Sequence, residues 1–420
     1  MRNQMTTGIF DRLESRRASV GVVGLGYVGM PLAQALSRHF DVAGYDPRFR
    51  AAGDSGVDDG PVIAGDMDAL SAASFYIIAV GTPIDGDRRP DIGALLSATE
   101  SVGGLLKRGD YVVYESTVYP GCTEDECIPL LEKISGLRCG RDFKVGYSPE
   151  RINPGDPRHG LADTPKIISG CDDEAVSEIA RVYGKVVGAS LHIASDIRQA
   201  EAAKLLENIQ RCMNIALMNE MSVTFGRMGI DIDEVVELAS AKWNFAPYRP
   251  GLVGGHCIPV DPYYLIWKAE RQGADMPLTR LGCAVNERMP AYVAGEVARR
   301  IPAGGNRRVL VMGMAYKRNS DDIRNSGVAV LTECLTALGL ECDVVDGMVD
   351  RRAVKRMYGL ELKACPEGVY DAVVIAVAHD CYAGFDEEWF GRMSSGREAL
   401  LADLSGVYRG RVSNMKYWSL

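Results

Sequence analysis

The stretch SVGVVGLGYVGMPLAQALSRHFDVAGYD, Ser19–Asp46, decides the fold. Its opening, Ser19–Gly24, is a short β-branched apolar run, which predicts a strand buried on both faces in a parallel sheet. That run enters a Gly-x-Gly-x-x-Gly fingerprint, Gly24, Gly26 and Gly29, with Tyr27 and Val28 inside it, and Met30–Phe40 then reads as a helix. Val42–Asp46 follows as a second strand ending on a carboxylate. Strand, glycine turn, helix and strand in this order give the fingerprint its meaning. Gly24 permits a tight turn, Gly26 lets the backbone approach a pyrophosphate, and Gly29 lets helix and strand pack closely. The free N–H groups of the helix start favour phosphate. Asp46, 17 residues after Gly29, is placed to hold both ribose hydroxyls and to repel a 2′-phosphate, so the predicted cofactor is NAD. Arg48 and Arg50, close behind, are the residues that could accept such a phosphate instead.

The same alternation continues outward. Phe75–Val80, Tyr111–Glu115 and Lys144–Gly146 read as further buried strands, which predicts a doubly wound parallel sheet. From about Ser195 to Met228 the pattern becomes one uninterrupted helix with Ala203, Leu206, Ile209, Met213, Leu217, Met221 and Val223 at helical spacing. At 1.5 Å per residue it spans roughly 50 Å, a length suited to linking two domains and packing on a partner subunit. After about Pro302 a second α/β pattern begins, with Arg308–Met312, Cys342–Asp346 and Val373–Val377 as strands and Gly327–Leu338 as a helix. VAGYD (Val42–Asp46) is echoed by CDVVD (Cys342–Asp346), but only the first half carries the glycine fingerprint. The expected fold is α/β: two Rossmann-like doubly wound domains joined by a long central helix. Its expected boundaries are residues 1–194 for cofactor binding, 195–301 for the helical centre and 302–420 for the second Rossmann-like domain.

Composition narrows the class. The 420 residues are 47% hydrophobic and 25% charged, values of a folded globular chain. Net charge is −9, from 47 basic and 56 acidic residues, so a phosphate-tracking nucleic-acid surface is not expected. No apolar run approaches the roughly 20 residues of a membrane span, and MRNQMTTGIFDRLESRR has no long apolar core. The expected location is therefore cytoplasmic. Eleven cysteines occur without a CxxC, and none is spaced with a histidine as metal ligands are, so neither a disulfide framework nor a metal site is expected. Ten of them read as small buried apolar residues.

Cys257 is the exception. It ends GLVGGHC, where Gly251, Gly254 and Gly255 imply unusual backbone angles or close ligand approach, and Asp261 follows four residues later. A presented thiolate near a general base suits covalent catalysis. On the long helix Lys204 and Asn208 are four residues apart, hence on one face, inside the largely apolar EAAKLLENIQRC. That setting aims the pair at an interior site.

GLGYVGMPLA, ESTVYPGCTE, GYSPERINPGD, EAAKLLENIQRCMNIALMNE, PGLVGGHCIPVDPYYL and GMAYKRNSDDIRNS occur in an order that resembles the UDP-glucose/GDP-mannose dehydrogenase family. The wording of the third and fifth blocks is most similar to members acting on UDP-N-acetylhexosamines (GlcNAc or GalNAc) for surface polysaccharides. The resemblance implies NAD-dependent, four-electron oxidation of a sugar C6 alcohol to a carboxylate. It implies Cys257 as the nucleophile that captures the aldehyde, Asp261 as base, and Lys204 and Asn208 as stabilisers of charge on the C6 oxygen. Thr117 and Glu150 would position or activate the hydrolytic water. Glu150, Arg151, Ile152, Lys204, Asn208, Lys242, Arg249, Gly254 and Lys317 would contact substrate, while Thr82, Thr117 and Arg324 would contact cofactor. A homodimer is expected because the long helix from Ser195 carries more apolar positions than one sheet edge can cover. Two departures stand out: the chain between Asp46 and Val80 is about twenty residues short, as if a helix were missing, and Asp403-Leu404-Ser405 lacks the usual C-terminal basic contact. The competing expectations are UDP-glucose or UDP-N-acetylmannosamine as substrate, a two-electron hydroxyacid-type dehydrogenase, and a non-catalytic nucleotide-sugar sensor.

Overall fold

A computed structural model of the chain describes residues 8–49, 60–152 and 160–420. It divides into two compact units, Met1–Glu207 with Tyr263–Ala274, and Asn208–Pro262 with Asp275–Leu420.

The first unit is built on eight strands: β1 (Ser19–Val23), β2 (Val42–Tyr45), β3 (Val62–Ile63), β4 (Ala73–Ile78), β5 (Tyr111–Tyr114), β6 (Lys144–Tyr147), β7 (Lys166–Gly170) and β8 (Leu191–Ile193). Their order is β3-β2-β1-β4-β5-β6-β7-β8, whose first six are the dinucleotide-binding order with the switch point between β1 and β4. The strands read from continuous apolar runs are the ones buried on both faces, β4 and β5 completely. One departure from the expected all-parallel sheet is β7, which pairs antiparallel to β6. Helices Gly29–Ser37 and Asp173–Tyr183 contribute Leu32, Ala33, Leu36, Ile179 and Val182 to the core over β1. Where the sequence suggests a missing helix, residues 60–72 hold only β3 and the single 3₁₀ turn Asp68–Leu70.

The second unit repeats the plan without the antiparallel member. Its strands are β9 (Arg308–Met312), β10 (Glu341–Val345), β11 (Leu362–Lys363), β12 (Ala372–Ile375), β13 (Leu400–Asp403) and β14 (Lys416–Ser419), in the order β11-β10-β9-β12-β13-β14. The echo seen in the sequence is structural. Gly24 and Gly313 both end the first strand of their sheet at φ of 92° and 91°, and a Cβ on either would meet a carbonyl, of Ala79 or Val377, at 2.7 Å. The two carboxylates that follow differ. Asp346 is filled from within: it accepts from the N–H groups of Met314 (2.6 Å), Ala315 (3.0 Å) and Met348 (2.7 Å), and from His379 Nε2 at 3.1 Å. The N–H of Asn319 donates to His379 Nδ1, which leaves Nε2 as the protonated nitrogen.

The long helix, Ile197–Met228, has 32 residues, about 48 Å. Its buried side takes in only part of the apolar stripe picked from spacing, Ile209 among it. Leu206 and Leu217 are exposed, whereas Glu201, Lys204, Asn208 and Asn219 are buried beside Ala200, Leu205, Cys212 and Ala216. In the second unit helix Pro277–Arg300 lies against it, closely enough that a Cβ on Gly282 would collide with Met213. No helix of the described residues is long and apolar enough to cross a membrane.

Candidate active site

The cofactor crevice belongs to the first unit. Helix Gly29–Ser37 begins without a side-chain cap; in its first turn the Met30 N–H donates to the Gly26 carbonyl at 3.1 Å and Pro31 carries no N–H. A Cβ on Gly29 would stand 1.8 Å from the Gly24 carbonyl oxygen, while one on Gly26 would have only an Arg48 nitrogen nearby, at 3.5 Å. The turn is thus closed by one glycine and left open by another, which fits a dinucleotide lying over it. Tyr27 is half exposed and Val28 precedes the helix. Asp46 accepts from the Leu25 N–H at 2.9 Å and is covered by Arg48, whose Nε and Nη2 lie 2.9 and 2.6 Å from its two oxygens. The Arg48 side chain holds the Asp46 carboxyl below its usual range against the opposing effect of burial. Arg48 therefore neutralises the carboxylate that the sequence places at the ribose. Arg50 lies outside the described residues. The hydroxyl of Thr82 donates to the Thr117 carbonyl at 2.7 Å, and that of Ser116 to the Val80 carbonyl at 2.7 Å, tying together the turns that leave β4 and β5.

Glu150 and Arg151 follow β6 in the same unit. Glu150 Oε1 accepts from the N–H groups of Arg151 and Ile152, each at 2.7 Å, and Oε2 faces Lys166 Nζ at 3.2 Å. Arg151 forms a two-point pair with Glu207 (3.2 and 2.7 Å) and donates to the Pro165 carbonyl at 2.9 Å. Glu201, absent from the expected site, is an anchor: its buried carboxylate accepts from the N–H groups of Gly121 (2.5 Å) and Thr123 (3.0 Å) and from the Thr123 hydroxyl (2.7 Å). Burial pushes Glu201 up to about 7, against those three donors. The loop after Thr117 is thereby fixed to the helix that bears Lys204.

On that helix Lys204 is 8% exposed and Asn208 3%, so the sequence argument from apolar surroundings identified a buried polar pair. Among the described residues Lys204 makes no hydrogen bond or ion pair, whereas Asn208 Nδ2 donates to Asp261 Oδ2 at 2.5 Å.

The Cys257 loop belongs to the second unit and is stapled on two sides. Asn219, on the long helix, accepts from the Gly251 N–H (2.8 Å) and donates to the Gly251 carbonyl (3.1 Å). The Gly255 N–H donates to the Arg324 carbonyl at 3.0 Å, and the Asn325 amide donates to the Gly255 carbonyl at 2.9 Å. Of the three glycines, only Gly255 has positive φ (84°), and a Cβ there would press into the Tyr316 ring at 2.8 Å. Gly254 is needed for close approach to Asn325 and Tyr316, while Gly251 faces open space. The N–H groups of Val260 and Asp261 both donate to the Cys257 carbonyl, at 3.1 and 2.8 Å, a turn that starts helix Asp261–Arg271.

His256 was not visible as a site residue in the sequence. Arg324, expected at the cofactor, pairs with Asp322 through Nε (3.0 Å) and Nη2 (2.6 Å), and Nη2 also lies 3.0 Å from His256 Nδ1. Asp322 first, and then the Cys257 thiol, push His256 up to about 9. The ring has two alternative partners: a bare Nδ1 takes the Arg324 proton, and a protonated Nδ1 turns to the Asp322 oxygen 3.6 Å away. Cys257 is half-buried, but its exposure does not single it out. Cys365 and Cys381 are exposed and only Cys122, Cys127, Cys212 and Cys283 are buried, which corrects the expectation of ten buried cysteines.

A cavity of about 320 Å³ opens in the second unit at the β9/β12 switch point. Lys317, Arg318 and Tyr316 line one side, with Leu404, Ser405 and Val407 on another. The C-terminal segment thus reaches the cavity through apolar and hydroxyl groups. Its basic residue Arg409 is directed instead to Asp233, at 2.7 Å, as is Arg249 at 2.8 Å. Lys242 is exposed beyond helix Ile232–Ser240, beside Trp243.

Three family models match the chain: the NAD binding domain of the UDP-glucose/GDP-mannose dehydrogenase family over residues 63–187, its central domain over 198–288 and its UDP binding domain over 310–410. The UDP-N-acetyl-D-glucosamine 6-dehydrogenase of Pseudomonas aeruginosa is 42% identical over 91% of this chain and 95% of its own length. The enzyme of the same name from Salmonella typhi is 40% identical over 88% and 92%. Among solved structures, a UDP-D-ManNAc dehydrogenase from Pyrococcus horikoshii superposes with a TM-score of 0.84 at 30% identity, covering 96% of this chain and 98% of that one.

Proposed function

Because this chain belongs to the UDP-glucose/GDP-mannose dehydrogenase family and is an NAD-dependent UDP-sugar 6-dehydrogenase, we propose that its substrate is a UDP-N-acetylhexosamine, UDP-GlcNAc before UDP-GalNAc, oxidised at C6 to the uronate through Cys257. The names of the 40–42% identical relatives support the GlcNAc reading. The observation that carries the covalent route is the stapled GGHC loop, which presents a thiol four residues before a carboxylate already bonded to Asn208.

NAD, when bound over Gly24–Gly29 and Asp46, supplies the hydride acceptor for both oxidations. Asp261 receives the C6 hydroxyl proton, directly or through water, at the first oxidation. Cys257 Sγ then bonds to the aldehyde carbon and its proton passes to the carbonyl oxygen, giving a thiohemiacetal. Loss of a second hydride and the hydroxyl proton leaves a thioester. Water adds to that thioester, Glu150 takes the water's proton, the C–S bond breaks, and its electron pair returns to Cys257. One alcohol, one water and two NAD thus give one carboxylate, two NADH and three protons. Lys204 and Asn208 stabilise negative charge on the C6 oxygen, and Thr117 orients the water. Arg151, Ile152, Lys242, Arg249, Gly254 and Lys317 are assigned to substrate and Thr82 and Arg324 to cofactor, with Arg151, Arg249 and Arg324 exchanging their present carboxylate partners on binding. Functionally the chain is read as three segments, residues 1–194, 195–301 and 302–420, working in the cytoplasm in surface polysaccharide synthesis.

Substrate choice is tested by kcat/KM for four UDP-sugars. UDP-GlcNAc is expected to exceed UDP-Glc by about 10–200-fold, the range that one shaped apolar group supplies. A preference for UDP-Glc overturns the acetamido reading.

We further propose a homodimer. In the second unit Leu217, Met228, Leu238, Leu278, Leu281 and Trp243, the last 92% exposed, are apolar side chains that a partner subunit would cover. Sedimentation at micromolar concentration is expected to give twice the chain mass; a single monomeric species contradicts it.

A further inference from the structure

Within the first unit Glu150 belongs to an ionic cluster whose other members, Lys166 and Glu115, no step of the reaction uses. Lys166 opens β7 with its side chain 3% exposed, and its Nζ stands 2.8 Å from Glu115 Oε2, 3.2 Å from Glu150 Oε2 and 3.3 Å from the Pro149 carbonyl. Glu115, at the end of β5, is wholly buried, and its Oε1 accepts from the Tyr183 hydroxyl at 2.5 Å. The Tyr183 ring also faces the ammonium, with its centroid 5.2 Å from Nζ. One cation is therefore shared between two buried carboxylates.

Burying three charges is costly unless they are paired, and hydrophobic residues of similar size often serve stability equally well. The arrangement makes sense by what it does to Glu150. An ionised carboxylate has about four lone-pair sites. Two amides occupy Oε1, and Lys166 takes one site of Oε2. One site of Oε2 remains to receive a proton. Among the described residues, the charged and titratable groups acting on Glu150 are Lys166 from β7 and Glu115 from β5. Tyr183, from helix Asp173–Tyr183, acts through Glu115, and Arg151 is turned to Glu207 on the long helix.

We propose that Lys166 is the positioning residue of Glu150: its ammonium holds the Glu150 carboxylate charged and aimed, with one oxygen site free to accept the proton of the hydrolytic water. This rests on the reading of Glu150 as the base of thioester hydrolysis. The two carboxylates divide the labour. Burial drives Glu115 up to about 7, so it takes a proton first. Glu150 is lowered even though burial opposes it, through Lys166 and the two amides.

The test is the pH dependence of thioester hydrolysis, followed in a single turnover by rapid quench. Glu115→Gln with Lys166→Gln leaves an amide at each place and, on the acidic limb where Glu115 already holds a proton, removes the charge of Lys166 alone. In this double variant the acidic limb is expected to move up by about one pH unit, so that on the limb its rate, relative to its own plateau, falls roughly tenfold below that of the wild type at the same pH. Lys166→Arg is expected to keep the wild-type limb. A double variant slowed equally at every pH, with its limb unmoved, makes Lys166 merely structural and overturns the proposal. Glu150→Gln tests the underlying reading separately: undiminished hydrolysis there removes Glu150 as the base. Independently of any Lys166 variant, infrared titration of the ¹³C-glutamate-labelled wild type should show the carboxylate band that Glu150→Gln eliminates persisting below pH 4.5, the ordinary glutamate value. A midpoint above that value overturns the proposal.

Discussion

Cys257→Ser is expected to abolish uronate formation, lowering kcat by roughly 10⁴-fold or more, the scale of losing an activated nucleophile. A hydroxyl fills the same space but ionises far less readily than a thiol. The loop itself should not change, because its staples are Asn219, Arg324 and Asn325 acting on Gly251 and Gly255, and none involves the sulfur. NAD and UDP-sugar affinity should therefore stay near wild type by calorimetry. Retained turnover would remove the covalent route.

Lys204→Ala is expected to cost about 10²–10³ in kcat with little change in KM, as when one preorganised donor to a developing oxyanion is removed. Lys204 is 8% exposed, stands one helical turn from Asn208 and has no carboxylate partner among the described residues. Lys204→Arg should recover little, because a planar fork cannot replace a compact point charge. A kcat within twofold of wild type would move Lys204 out of the chemistry.

What the sequence disclosed follows from the range over which residues act. Ser19–Gly24 and Arg308–Met312 were legible as strands because burial on both faces demands an unbroken apolar run, and β9 has the bounds read from it. Lys204 and Asn208 were legible because one helical turn separates them. Lys166 was not: its partner Glu115 is 51 residues away, and TPKIISG reads only as a strand behind a proline. The Arg324–His256 contact spans 68 residues and was equally silent. The antiparallel β7 escaped because a pairing as short as Gly146 with Gly170 and Tyr147 with Ser169 has no distinct pattern. The stripe on the long helix was only partly informative about burial: Ile209 is buried, Leu206 and Leu217 face outward, and the buried side also carries Glu201, Asn208 and Asn219, held by hydrogen bonds.

The most direct test of the account is the count of NADH formed per molecule of UDP-GlcNAc consumed, with the product identified by mass. Capture of the aldehyde at Cys257 predicts two NADH and a uronate, with no free aldehyde released. One NADH and an accumulating C6 aldehyde would contradict it.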